Sequence, residues 1–130
     1  MTINVNWQAA SDESLAHISN GTAQWVADIS PAAGGNGKAP DPHDLLDSAL
    51  GACTVLTLQM YAQRRGYALA DIAVSVTRHE EDGVYRLQRQ ITLGGNLDDA
   101  ARADLLRVAE KCPIHKALSG RFEIATELVG

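Results

Sequence analysis

The sequence predicts an α+β protein, and three observations carry that prediction. Segments with the two-residue period of strands lie on both sides of one long helical stretch; Asn20-Gly21 and Asp82-Gly83 mark tight hairpins; and Pro113, directly after Cys112, splits the C-terminal helical region in two. The expected order is βββ-α-ββ-αα-β, with no tandem repeat or low-complexity tail, on a single domain of residues 1–130. At 130 residues and 45% hydrophobic, the chain is long and apolar enough to form a core.

Each element has its own signature. Thr2 to Trp7 alternates Ile3, Val5 and Trp7 against polar residues, the pattern of a half-buried strand. Ser14 to Ser19 and Thr22 to Ile29 flank Asn20-Gly21 and are expected to pair antiparallel. Ser30 to Pro40, SPAAGGNGKAP, reads as a mobile connection, placed to act as a lid. Asp41 to Tyr67 then forms the long helix: Asp41 is an N-cap, Pro42 suits the first helical position, Arg64 and Arg65 favour the C-terminal end, and Gly66 stops it. Leu46, Ala49, Leu50, Cys53, Leu56 and Met60 make its apolar stripe, widened by Leu45, Ala52, Val55 and Leu58, so the helix is expected to be buried nearly all round. At 1.5 Å per residue it runs roughly 35–40 Å, more than a chain this short wraps alone, which points to a dimer.

Beyond the helix, Asp71 to His79 and Val84 to Leu93 form the second hairpin around Asp82-Gly83. Its charges, Arg78, Glu80, Glu81, Arg86 and Arg89, read as a solvent-exposed sheet face with no assigned role. A helix starts at Asp98-Asp99, turns Leu105, Leu106, Val108 and Ala109 inward and ends at Cys112-Pro113. A short helix, Pro113 to Leu118, follows with Cys112 as its N-cap, and Arg121 to Leu128 alternates as a last strand.

Charge and composition exclude some function classes. A formal net charge of −5, with no basic cluster larger than Arg64-Arg65, gives no footprint for nucleic acid. MTINVNWQAA lacks the features of a secretory signal, and the uncharged run from Ser48 to Gln63 is shorter than a membrane span, so the expectation is a cytoplasmic protein without membrane contact. Two cysteines do not make a disulfide scaffold.

Those cysteines are the candidate reactive groups. Cys53 lies mid-helix on the apolar stripe, where a cysteine is commonly a small buried hydrophobe, and a thiolate there needs a donor or cation from elsewhere in the fold. Cys112, at a helix N-cap, sits where unpaired amides favour an anionic sulfur. Thr57, four residues after Cys53, is placed to bond either that sulfur or its own helix backbone.

The segment ALGACTVLTLQMYA, followed later by KCPIHKAL, resembles the OsmC/Ohr family of thiol-dependent hydroperoxide reductases, and the resemblance extends over nearly the whole chain. It implies an intertwined homodimer with two central helices clasped between antiparallel sheets. It implies Cys53 as the peroxidatic and Cys112 as the resolving cysteine, a Cys53–Cys112 disulfide, and an organic hydroperoxide substrate preferred over hydrogen peroxide. The implied reductant is a dithiol, in this family often a lipoyl group, and no cofactor or metal is implied. Family members carry a Glu ten residues before the first cysteine and an Arg in the N-terminal strands; this chain has His43 at the first position and no arginine before Arg64. His43 and His17 are the candidates to replace that support, His43 reaching the partner subunit's Cys53, and His115 is the candidate to contact the second sulfur. Two alternatives stand beside the peroxidase: a zinc site drawing on Cys53, Cys112, His43 and His115, and an OsmC-fold protein without peroxidase activity that binds a small apolar ligand at the dimer interface.

Overall fold

The computed structural model describes all of residues 1–130. The chain divides into two compact units, Met1–Ser48 and Ala49–Gly130.

In the first unit, β1 (Asn4–Asn6), β2 (Ala16–Ser19) and β3 (Gln24–Ala27) form an antiparallel sheet in the order β1-β2-β3, with Val5 opposite Ile18 and Ile18 opposite Trp25. The β2–β3 loop has four residues rather than two. Asn20 organises it by accepting the Thr22 and Ala23 amides on its side-chain oxygen at 2.9 and 2.7 Å, while Gly21 takes φ +97°. Ile18 and Ala27 are buried, but Ile3, Val5 and Trp7 stay exposed, so β1 is not the half-buried strand its alternation predicts.

The connection Ser30 to Pro40 is tied down rather than mobile. Pro31–Ala33 forms a 3-10 turn, and the buried Asp28 carboxylate accepts from the Ser14 hydroxyl, the Ile29 amide at 2.7 Å and the Lys38 amide at 2.9 Å. Backbone bonds from Gly37 to Ile29 and from Asp28 to Pro40 close the loop on itself. The Ser14 hydroxyl first, then the Lys38 amide, holds Asp28 below the usual carboxylate range; burial opposes this, and the Ile29 amide and the Lys38 charge add to the lowering. The acceptor that converts a Gly-rich stretch into a fixed loop is thus an aspartate lying outside it.

Helix α1 (Pro42–Arg65) begins in the first unit and continues into the second. Asp41 and Asp44 cap it reciprocally, each carboxylate accepting the other's amide at 2.9 and 3.1 Å. At its end Gly66, with φ +71°, lets the Tyr67 amide return to the Ala62 carbonyl at 2.9 Å. The buried stripe is Asp47, Leu50, Thr54, Leu58 and Ala62, rotated from the expected one; Leu46, Leu56 (55% exposed) and Met60 (52%) face outward. The helix is therefore not buried all round in this chain. By length and composition it does reach what a membrane span needs, which the shorter uncharged run does not.

In the second unit, β4 (Ala68–Glu81) and β5 (Val84–Asn96) form a long antiparallel hairpin, closed at Asp82 and Gly83, both at positive φ. Gly95, at φ +122°, lies where an added Cβ would meet the Ala68 carbonyl oxygen at 2.2 Å, beside the irregularity between Leu69 and Asp71. α1 crosses this hairpin closely enough that a Cβ on Gly51 would touch Val76. The core joins Leu58 and Ala62 of α1 to Leu105, Val108 and Ala109 of α2 (Asp99–Ala109), with Ile72, Ile91 and Leu93 of the hairpin packed against it. Ala101 is buried on α2 in place of Leu106, which is exposed. The Tyr61 hydroxyl of α1 and the Tyr67 hydroxyl just beyond its end both donate to Asp104 Oδ2 of α2, at 2.8 and 2.6 Å.

α3 (Pro113–Ser119) follows, capped by Cys112 as expected. The last strand does not form. Residues 120–130 have no regular structure, and Phe122 (64%) and Ile124 (87%) are exposed. A strand exists only by pairing, and neither sheet of this chain supplies this segment with a partner.

Candidate active site

The Cys-Pro break brings the two cysteines into one neighbourhood. Cys53 sits on α1 with its sulfur 3.8 Å from Thr57 Oγ1, so Thr57 turns to the sulfur rather than to its own backbone. It is Thr54, fully buried, that bonds back along the helix, donating to the Leu50 carbonyl at 2.7 Å. Cys112 is fully buried at the N-cap of α3 and accepts the His115 amide at 3.2 Å. Both cysteines are free thiols.

Burial pushes the Cys53 thiol up. The Ile114 backbone N–H, the Cys112 thiol, the Thr57 hydroxyl and the Arg89 charge outweigh it, and the thiol lies below its ordinary range. The His115 amide bonds the Cys112 sulfur, and the neighbouring Ile114 amide favours a thiolate at Cys53.

Arg89 is the residue that sequence reasoning missed. Its register on β5, opposite Val76 and between Leu87 and Ile91, puts it on the inner face of the hairpin, not on the exposed face assigned to it. Arg78, opposite Leu87, shares that inner side, whereas Arg86 is exposed. Arg89 donates through Nη1 to Thr54 Oγ1 at 3.0 Å and through Nη2 to His115 Nδ1 at 2.9 Å. The signal was available: an arginine in the inward register of an apolar alternation, and a threonine on the buried stripe of a helix.

The three candidate histidines stand in different settings. His115 meets Cys112 through its backbone amide, while its ring lies between Arg89 and Glu110, whose Oε2 is 3.3 Å from Nε2. His17 and His43 belong to the first unit and are exposed, His17 on β2 opposite Asn6 and Val26, His43 in the first turn of α1. Within this single chain no three His, Cys, Asp or Glu side chains converge as metal ligands.

Beside Arg89 and His115 the second unit holds a pocket of about 370 Å³, walled by Leu50, Leu87, Ile91, Leu106 and Leu118, with Tyr85, Glu110 and Ser119 also reaching it.

Comparison with known proteins gives the family and the fold. The family model described as OsmC-like protein matches residues 35–127, a stretch containing both cysteines, the hairpin and all three helices. The chain belongs to the OsmC-like family. Solved structures of similar fold include an OsmC-like protein of Mycoplasma pneumoniae, 20% identical with TM-score 0.75 over 92% of this chain and 86% of that one. An organic hydroperoxide resistance protein OsmC of Legionella pneumophila is 18% identical with TM-score 0.66, over 92% and 88% of the two chains. The organic hydroperoxide resistance protein OhrB of Bacillus subtilis is 20% identical with TM-score 0.59, over 92% and 90%. No curated protein matches in sequence. At these identities the likeness is one of fold.

Proposed function

We propose that this OsmC-like protein is a two-cysteine reductase of organic hydroperoxides. What supports the reading is the placement of Cys112, at the N-cap of α3, near Cys53 of α1: the Ile114 amide and the Cys112 thiol both favour a thiolate at Cys53, and Cys112 is itself the group needed to resolve its oxidised form. The Cys53 thiolate attacks the terminal oxygen of the hydroperoxide; the O–O bond breaks, an S–O bond forms, and the alkoxide leaves as the alcohol after taking a proton. The Cys112 sulfur then attacks the sulfenic sulfur, water departs, and a Cys53–Cys112 disulfide forms. A dithiol, by two exchange steps, restores both thiols and leaves as its own disulfide. The leucine and isoleucine residues of the pocket beside Arg89 favour an organic substrate over hydrogen peroxide, and the setting in this reading is cytoplasmic.

The active form is a homodimer in this reading. Leu46, Leu56 and Met60 leave one side of α1 uncovered, and Phe122 and Ile124 lie on a segment with no strand to pair with; both are surfaces that a second copy would cover. A second reading rests on the 370 Å³ pocket, where Leu50, Leu87, Ile91, Leu106 and Leu118 face Arg89, Glu110 and His115, a lining that suits a small ligand with an apolar body and a polar group, bound without turnover.

Dithiol oxidation driven by an alkyl hydroperoxide separates the two. The first reading expects turnover by the wild type, none by Cys53→Ser, and a mixed disulfide with the reductant in Cys112→Ser. Equal rates for wild type and Cys53→Ser would overturn it.

A further inference from the structure

Thr54, Arg89, His115 and Glu110 form one continuous polar run inside the second unit, and its direction follows from donor accounting. A guanidinium only donates, so Thr54 Oγ1 (3.0 Å) and His115 Nδ1 (2.9 Å) are both acceptors. The Thr54 hydroxyl can accept there because its own proton is directed to the Leu50 carbonyl at 2.7 Å. A histidine that accepts at Nδ1 is the neutral tautomer protonated at Nε2, and Nε2 faces Glu110 Oε2 at 3.3 Å. A ring protonated on both nitrogens would turn an N–H against the guanidinium. Each member therefore constrains the next.

Resting on the peroxidase reading above, we propose that His115 and Glu110 are positioning residues for Arg89: Glu110 selects the Nε2–H form of His115, and the freed Nδ1 lone pair, with Thr54, holds the guanidinium inward within electrostatic reach of Cys53. The need for such a holder is physical. Arginine has a long, rotamer-rich side chain that ordinarily carries its head to water. Arg89 is half-buried in a strand whose other inward residues, such as Leu87 and Ile91, are apolar, and the pocket beside it offers an alternative direction. Two neutral acceptors fix the fork without cancelling its charge, which a carboxylate in direct contact would do. Glu110 acts one residue removed, through the ring, and being 62% exposed it contributes less than His115.

The test is a titration of the Cys53 thiolate by its ultraviolet absorbance, in a Cys112→Ser background that leaves one titrating thiol and keeps a hydroxyl donor in its place. Arg89→Met and His115→Leu are each expected to lower the thiolate fraction on the acid side of the transition about tenfold. Glu110→Ala is expected to lower it by no more than about fivefold. His115→Asn, whose amide oxygen can occupy the Nδ1 position, is expected to recover most of the loss. In the Arg89→Met background His115→Leu is expected to change nothing further, because it acts through Arg89. Additive shifts in the double variant, or a His115→Asn titration equal to that of His115→Leu, would overturn the proposal. Should Arg89→Met fail to fold by circular dichroism, Arg89→Gln replaces it with the same expectations. No peroxide enters this measurement, so its failure leaves hydroperoxide turnover and the Cys53→Ser result to be judged separately.

Discussion

Thr54 holds Arg89 with a hydroxyl whose two functions point in opposite directions, accepting from the guanidinium at 3.0 Å and donating to the Leu50 carbonyl at 2.7 Å. Thr54 is fully buried, so no water stands in for a lost partner on its side. Thr54→Val keeps the shape and removes both bonds, and is expected to destabilise the fold by about 1–3 kcal/mol in urea unfolding. Thr54→Ser, which keeps the hydroxyl, is expected to lose less than half as much.

The Cys53 thiol is depressed against its own burial by the Ile114 amide, the Cys112 thiol, Thr57 and Arg89. The sign follows directly. Thiolate persists as pH falls below the ordinary thiol range and disappears only as pH passes down through the lowered value. Iodoacetamide labelling of native Cys53 is therefore expected to stay fast at a pH where labelling in denaturant has already slowed about tenfold. Coincident native and denatured pH profiles would show that the donors have no effect.

Asp104 is held down to about 2, first by the Tyr67 hydroxyl and then by that of Tyr61, against the effect of burial and with Arg107 adding to the lowering. A carboxylate with a depressed folded-state value stabilises the fold above its unfolded value, and that contribution is lost as pH falls through the folded value. Asp104→Asn is expected to lower the Tm at neutral pH. The gap to wild type is expected to narrow between about pH 4 and about pH 2, as thermal unfolding at stepped pH would record.

Asp28 fixes the Ser30–Pro40 loop by accepting from Ser14, Ile29 and Lys38. Asp28→Ala removes all three acceptor contacts. Trypsin cleavage after Lys38 is expected to speed up about tenfold, with other sites unaffected. Uniform acceleration across the chain would mean that Asp28 supports the whole fold rather than this loop.

Much of this architecture is written in local signals. The caps at Asp41, Asp98 and Cys112, the stop at Gly66 and the turn at Asp82-Gly83 are each set within a few residues of sequence, and each stands where its chemistry places it. What local reading misses depends on distant partners. The buried stripe of α1 centres on Leu50, Thr54 and Leu58 because the hairpin and α2 lie on that side, which an evenly apolar helix does not reveal. Arg89 reads as a surface charge until the register of β5 turns it inward to Thr54 and His115, residues distant from it in sequence. The C-terminal alternation of Phe122 and Ile124 is a real strand pattern, but pattern alone does not supply the second strand.

Cys112 is at once a thiol and the stop that ends the unwound turn before α3, accepting the His115 amide at 3.2 Å. Any reagent or bond that claims this sulfur competes with the cap of a helix of only seven residues. The oxidation state of the protein should accordingly be legible in the hydrogen exchange of the His115 amide: slow while the sulfur is free to accept it, faster once the sulfur is drawn elsewhere. Redox change and the local melting of α3 would then be one event seen through two observables.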